Sequence, residues 1–406
     1  MALIVKKFGG TSLGDLDHVR NAAARVKEAL HAGDRVAVVV SAMAGVTDRL
    51  LASASGEGLG DDAFERDSLA STGEQVAAGV FALVLQGMGI PARSWLGWQV
   101  PILTADTPGE ARIVRIETGK LEAALKAGEV PVLAGYQGVT ARGRITTLGR
   151  GGSDITAVAL AAALHADRCD IYTDVPGIYT ADPNLVSGAR QLAAISYREI
   201  LALAATGAKV MHSRAVALGM EYGVKIEVRT SYEARPGTMI VGEHDLKEPK
   251  AVSGIACSDQ EAKISVQGVA DEPGTVAALF HPLAEAGISV DMIVQDVAGK
   301  DAPADVTFTV HKNDLAQALA LLTAAKAAIG YRELHADPKV VKVSVVGLGM
   351  AGRPGVAQKM FDALGKKKIN IQAISASDIK ISVLIADNHK AEAVRALHAA
   401  YGLERA

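Results

Sequence analysis

Short apolar runs alternate, over the first 240 or so residues, with longer segments whose apolar positions recur every three or four residues. Leu3 to Lys6 reads as a strand, and Leu16 to His31 as an amphipathic helix with Asp15 as its cap and Gly33 as its stop. Arg35 to Val40 is a β-branched run suited to a strand buried on both faces, and Val130 to Ala134 and Asp170 to Thr173 repeat the pattern. Strands alternating with helices predict a mainly parallel sheet whose site lies at the carboxyl ends of the strands. Each of these strands runs into small or hydroxyl-bearing residues: Phe8-Gly9-Gly10-Thr11-Ser12, Ser41-Ala42-Met43-Ala44-Gly45-Val46-Thr47, Gly135-Tyr136-Gln137-Gly138 and Asp174-Val175-Pro176-Gly177.

The pattern changes near Gly242. Residues 243–256 are charged and polar at first and read as a linker, so 1–242 is expected to form one domain. Beyond it a plan of strand, turn, helix and strand occurs twice. Ala262 to Val269, Asp271-Glu272-Pro273-Gly274, Thr275 to Ala286 and Ile288 to Gln295 form the first copy, with Gly287 as the helix stop. Lys342 to Val346, Arg353-Pro354-Gly355, Val356 to Leu364 and Ile369 to Ile374 form the second. The expected boundaries of these two domains are 257–335 and 336–406.

At 406 residues the chain is too long for one ordinary core. Only 4% of it is aromatic and 41 residues are glycine, so small aliphatic side chains must fill the interior, as in a soluble α/β protein. The net charge of -3, without a long basic run, gives no electrostatic footprint for nucleic acid or an anionic membrane, and small polar metabolites are the better candidates for partners. Cys169 and Cys257 are too few for a disulfide framework or zinc site, which fits a cytoplasmic location, and no metal site is expected. No signal peptide is read at the N-terminus. The charge-free stretch between Glu74 and Arg93 contains Gln86, Gly87, Gly89 and Pro91, and reads as a buried helix with its exit turn rather than a membrane span.

The chemistry centres on Thr147-Leu148-Gly149-Arg150-Gly151-Gly152-Ser153-Asp154, which leads into an apolar helix. Three glycines let a backbone loop close on an anion at a helix N-terminus, and Arg150 offers a planar charged fork. Asp154 either caps the helix or faces a cationic group of a substrate that carries both charges. No Gly-x-x-x-x-Gly-Lys-[Ser/Thr] motif is present, so a P-loop is not supported. Lys7, at the end of the first strand, could instead neutralise a transferring phosphoryl group. Glu74 reads either as a residue favoured by the helix dipole or as a ligand for an amine.

Taken in order, Lys7 to Ser12, Ser41 to Thr47, Gly73-Glu74-Gln75, Gly149 to Asp154 and Tyr172 to Pro183 resemble the aspartokinases, a branch of the amino-acid kinase family. The resemblance covers nearly the whole chain. It implies an α/β amino-acid kinase fold followed by two ferredoxin-like ACT domains, and transfer of the γ-phosphoryl group of ATP, with Mg²⁺ carried on the nucleotide, to the side-chain carboxylate of L-aspartate. On that footing Lys7 and Asp154 are catalytic. Ser41, Thr47, Glu74, Arg150 and Ser153 bind aspartate, with Glu74 and Asp154 toward its amine and Arg150 toward its α-carboxylate. Lys7, Gly9, Gly10, Thr173, Asp174, Tyr179 and Lys209 serve ATP. Asp271, Gly274, Gln295, Asn370 and Ile371 bind an effector, lysine or threonine or both. A homo-oligomer built through the ACT domains is expected, with or without a separate regulatory subunit. Departures from the family pattern stand at Asn184, Ser213, Asp296, Ala298 and Ala376.

Three other readings compete. One is an amino-acid kinase acting on a glutamate derivative, against which Glu74 and the paired repeats argue. Another is an amino-acid sensor with a decayed kinase half, which Asn184 keeps open and Lys7, Arg150 and Asp154 oppose. The last is a nicotinamide site at Gly347-Leu348-Gly349-Met350-Ala351-Gly352. That motif is followed by Pro354-Gly355 and only a short tail, where a dinucleotide site needs a full βαβ unit.

Overall fold

The computed structural model describes residues 1–56, 58–207, 211–247, 250–297, 303–350 and 352–404. These form two compact units. The first unit runs to Ile178 and resumes at Gln191. The stretches Tyr179–Arg190 and 205–207 pack instead with the second unit, which continues from residue 250 to residue 404.

In the first unit the strands are β1 (Leu3–Phe8), β2 (Arg35–Val40), β3 (Ala92–Trp95), β4 (Ile102–Thr104), β5 (Ile113–Ile116), β6 (Val130–Ala134), β7 (Gln137–Val139), β8 (Ile145–Thr147), β9 (Arg168–Thr173), β10 (Ala194–Ser196), β11 (Ile226–Thr230) and β12 (Thr238–Val241). Its helices are α1 (Leu16–His31), α2 (Val46–Ser53), α3 (Ala63–Gly87), α4 (Gly119–Lys126), α5 (Gly152–Ala163), α6 (Tyr197–Ala204) and α7 (Ser213–Tyr222). Eight strands form the main sheet in the order β10-β12-β11-β9-β1-β2-β6-β3, in which β10 and β12 run against the other six. Strands β2 and β6 are buried on both faces, as their apolar runs require. A small sheet, β5-β4-β7-β8, was not foreseen, because its short strands carry no clear alternation.

Asp15 caps α1 through its side chain, accepting from the His18 N–H. One face of α3 lies in the core, burying Ala70, Ala77, Ala78, Phe81, Ala82 and Leu85. By length and composition α3 could cross a membrane, but half of its apolar window is buried within the protein.

The second unit holds β13 (Gly254–Ser258), β14 (Glu261–Val269), β15 (Val290–Val297), β16 (Ala304–His311), β17 (Glu333–Asp337), β18 (Val340–Val346), β19 (Ala373–Ala376) and β20 (Lys380–Ala386). Its helices are α8 (Thr275–Glu285), α9 (Leu315–Ala324), α10 (Lys326–Ile329), α11 (Val356–Lys366) and α12 (Lys390–Ala400). They make two four-stranded sheets, β15-β16-β14-β17 and β13-β18-β20-β19, each covered by helices. Two expectations change here. The linker ends in structure, because β13 begins at Gly254 and pairs antiparallel with β18, so the first repeat is inserted between two neighbouring strands of the second. The strand expected from Ile369 to Ile374 begins only at Ala373. Lys368 takes a φ of 56° and the Ile369 N–H bonds back to the Leu364 carbonyl, which holds Ile369 in the helix exit.

Candidate active site

Four carboxyl-terminal ends of the main sheet deliver the polar loops. Parallel pairing of β1 with β2 and β9 sets Lys7 between Val39 and Ile171, and Gly9, Ser41 and Asp174 follow just beyond the ends of the three strands. The Ser41 N–H donates to the Phe8 carbonyl, and the Gly9 N–H to the Tyr172 carbonyl, so these loops are tied to one another at their roots. Gly135, just past β6, lies against Ser153; a Cβ there would meet the Ser153 side chain at 2.9 Å.

The Gly149–Asp154 loop has the conformation its glycines allow. Gly149 and Gly151 take φ of 75° and 74°, the left-handed region that other residues avoid. Gly151 is the N-terminal boundary residue of α5, and any side chain on it would strike the His212 ring. The loop therefore leaves the first amides of α5 at the mouth of a cleft of about 290 Å³, lined by Lys7, Ser41, Thr47, Arg150, Ser153 and Asp154 among others.

At its centre the Lys7 Nζ lies 2.6 Å from Asp154 Oδ1, both side chains largely buried. Arg150 is exposed at the rim. A paired cation and anion beside helix amides and an exposed guanidinium can receive a ligand bearing both signs of charge.

Glu74 stands behind this wall on α3, only 4% exposed. Its Oε1 accepts the Ala42 N–H at 2.9 Å, while Oε2 has no partner among the described residues. Burial raises its carboxyl to about 7, and the Ala42 bond only partly opposes the shift. A carboxylate buried with a spare oxygen is suited to a cationic group.

Asp48, Leu51 and Tyr136 also line the cleft and were not singled out from sequence. Tyr136 lay in a loop already marked as polar, whereas Asp48 and Leu51 gave no signal of their own. Two scaffold residues were missed as well. Asp67, 5% exposed on α3, accepts from the Thr147 N–H (2.7 Å), the Thr147 hydroxyl (2.8 Å) and the Gly109 N–H (2.8 Å). Arg214 on α7 donates to the Leu148 carbonyl (2.6 Å) and the Ala111 carbonyl (3.2 Å). Together they clamp the strand that leads into the glycine loop. Long-range bonds of this kind leave no local pattern in a sequence.

Of the residues assigned to the nucleotide, Gly9 and Gly10 lie beside this region. A Cβ on Gly9 would sit 3.3 Å from Lys7 Nζ, and one on Gly10 would press on the Ala42 carbonyl at 3.0 Å. The Thr173 hydroxyl donates to the Asp174 carboxylate at the end of β9. Tyr179 belongs to the second unit, and Lys209 lies outside the described residues. Asn184 turns inward on its own loop, giving both its backbone and side-chain N–H to Asp182 Oδ1.

In the second unit Asp271 is exposed and Gly274, with φ of 99°, opens α8. Gln295 and Asp296 are exposed on β15, and β15 packs beside β19. Asn370 and Ile371 precede β19, with Ile371 against the core of that sheet; Ala376 ends β19, and Ala298 lies outside the described residues.

Comparison with known proteins bears on this arrangement. Residues 2–230 match the amino acid kinase family, and residues 263–330 and 343–401 each match an ACT domain. The aspartokinase of Pseudomonas aeruginosa is 48% identical over 100% of this chain and 98% of its own length. Among solved structures, E. coli aspartokinase III in complex with aspartate and ADP superposes with a TM-score of 0.78 at 27% identity, covering 98% of this chain and 99% of that one. The same enzyme in complex with lysine and aspartate gives 0.79 at 28% identity, with the same coverage. The chain belongs to the amino acid kinase family, among its aspartokinases, and is a kinase followed by two ACT domains.

Proposed function

We propose that the chain transfers the γ-phosphoryl group of MgATP to the side-chain carboxylate of L-aspartate, giving 4-phospho-L-aspartate at the head of the lysine, threonine and methionine route. The observation that carries this reading is the Lys7–Asp154 pair at the mouth of the α5 loop, with Arg150 beside it. Aspartate has one ammonium and two carboxylates. Glu74 and Asp154 answer the ammonium, Arg150 answers the α-carboxylate, and Ser41, Thr47 and Ser153 donate from the walls. The side-chain carboxylate is then left to face the nucleotide. It is ionised near neutral pH, so no general base is needed.

Catalysis on this reading is alignment and charge stabilisation. Lys7, held by Asp154 in the free protein, turns to the transferring phosphoryl group when substrate arrives. The Gly9 and Gly10 amides lie at the phosphate end, with Thr173, Asp174, Tyr179 and Lys209 toward the rest of the nucleotide. Magnesium travels on the ATP. The complex of E. coli aspartokinase III with aspartate and ADP supports this choice of substrates. Its complex with lysine supports lysine, alone or with threonine, as effector at the ACT domains, where Asp271, Gly274, Gln295, Asn370 and Ile371 are the proposed contacts. The two ACT repeats also suit assembly of a homo-oligomer, in the cytoplasm.

The test is ATP turnover with L-aspartate, trapping the acyl phosphate with hydroxylamine. Aspartate-dependent hydroxamate, lowered by lysine or threonine, is the expected result. Turnover with a glutamate derivative and none with aspartate would overturn the substrate.

A further inference from the structure

Away from the Lys7 cleft, and sharing no lining residue with it, the first unit has a second cleft of about 610 Å³ between edge strand β3, the turn after it and the start of α4. We infer that this cleft binds an α-amino acid with a large apolar side chain.

Both tryptophans of the chain are here. Arg93 and Trp95 alternate onto the same face of β3, and the Arg93 guanidinium carbon lies 4.2 Å from the Trp95 ring centroid. Trp95 is 6% exposed, yet its indole N–H has no hydrogen-bond partner among the described residues. Glu129, entering β6, leaves Oε1 in the same condition. Two residues that line one cleft thus carry buried polar atoms of opposite character without partners among the described residues, and each such atom costs more than an ordinary bond returns. Around them Lys120 gives one N–H to the Gln99 carbonyl at 2.8 Å, its one hydrogen bond among the described residues, Arg93 is exposed, and Trp98 is 53% exposed.

The donors and acceptors set the ligand class. An indole N–H, a guanidinium and an ammonium only donate, so they call for a carboxylate; the Glu129 oxygen only accepts, so it calls for an ammonium. The exposed face of Trp98 calls for an apolar or aromatic body. An α-amino acid carries carboxylate and ammonium on one carbon and the side chain beside them. The volume lies in the range of small-molecule sites. Binding moves the Arg93 fork off the Trp95 ring and onto the ligand carboxylate.

The cleft carries its own probe, because the second unit has no tryptophan. The full-length chain is titrated with phenylalanine while indole fluorescence is followed. Parallel titrations use phenethylamine, which lacks the carboxylate, 3-phenylpropionate, which lacks the ammonium, and AMP. Saturable change with phenylalanine, and affinity weaker by about tenfold or more for each truncated analogue, is expected. Glu129→Gln and Arg93→Met should each weaken phenylalanine by about tenfold with phosphoryl transfer unchanged. No saturable change, equal affinity for the truncated analogues, tighter binding of AMP, or wild-type affinity in both variants would overturn the assignment. The titration involves no turnover, so an inactive kinase would count against the proposed function and not against this site.

Discussion

Lys6 and Lys7 are neighbours on β1, and alternation along the strand sends them to opposite faces of the main sheet. Lys6 is 2% exposed and engaged twice over: its Nζ donates to Asp170 Oδ2 at 2.7 Å and to the Tyr172 hydroxyl at 3.1 Å. Asp170 is itself held by Arg168, whose guanidinium also reaches Glu227, and Glu227 accepts the Gly237 N–H. Burial alone would lower the Lys6 ammonium, but Asp170 and Tyr172 together outweigh it and hold the pKa above the usual value. Lys7 opens onto the cleft and, among the described residues, has one ion-pair partner, Asp154, which on the proposed function gives way to a substrate. Two identical side chains thus divide into a locked structural charge and a releasable one. What distinguishes them is the number of partners the fold supplies, not burial.

Substitution separates the two roles. Lys7→Ala should lower kcat by about 10³, the scale of losing one preorganised charge at a transferring phosphoryl group, with a smaller loss of thermal stability than Lys6→Ala because Asp154 is left lining an open cleft. Hydroxamate formation and a thermal melt on the same preparation measure both. A large loss of stability with activity retained would reverse the comparison. Lys6→Ala should do the opposite, costing about 3 kcal/mol, the low end for breaking a buried pair, because Asp170 loses its Lys6 partner and keeps Arg168. Lys6→Met keeps the stem's volume, and with Asp170→Asn it should recover much of that loss, because it removes both charges together. Urea unfolding of the single and double variants checks this, and no recovery in the double variant would mean that the charges are not what Lys6 contributes.

The sequence alone could not make this division. Lys7 stood out because a glycine pair follows it, and the Gly149–Asp154 loop because glycines and a helix start coincide. Parallel strands were legible in β2 and β6 because burial on both faces leaves unbroken apolar runs. Lys6 gave no sign of its partners, since Asp170, Arg168 and Glu227 arrive from β9 and β11, more than 160 residues away in the nearest case. Asp67 and Arg214 were hidden for the same reason, and so were β13, whose pairing with β18 spans the whole first repeat, and the docking of Tyr179–Arg190 in the second unit. There the Thr180 hydroxyl meets the Nε2 of the buried His398 at 2.9 Å. Local chemistry is written locally; what holds it in place comes from afar.

Asp67 belongs with Lys6 in kind, since its three accepted bonds are permanent, but it acts on the loop beside Lys7. Asp67→Ala removes both acceptor oxygens, so the Thr147 N–H, the Thr147 hydroxyl and the Gly109 N–H all lose their partner. A displaced loop should lower kcat by about 10–100-fold, with a smaller loss of stability than in Lys6→Ala. Unchanged kcat in a folded variant would place the clamp outside the reaction.

Glu74 gives the smallest effect and the finest test, because it is buried like Lys6 yet has a free oxygen like a cleft residue. With its carboxyl near 7, about a tenth of the protein has Glu74 ionised at pH 6 and about nine tenths at pH 8. Only the ionised form attracts the substrate ammonium, so the KM for aspartate should fall by about tenfold from pH 6 to pH 8, with kcat changing less. Stability should move against affinity. The folded-state pKa is raised above the unfolded one, so the native protein holds more protons between pH 4.5 and 7 and loses stability as pH rises through that window, by at most about 3 kcal/mol. Glu74→Gln should flatten both slopes, with the KM of the variant fixed near the wild-type value at low pH. If the variant kept the wild-type pH dependence of KM, the ammonium would have to be met by Asp154 alone, and Glu74 would join Lys6 as a purely structural charge.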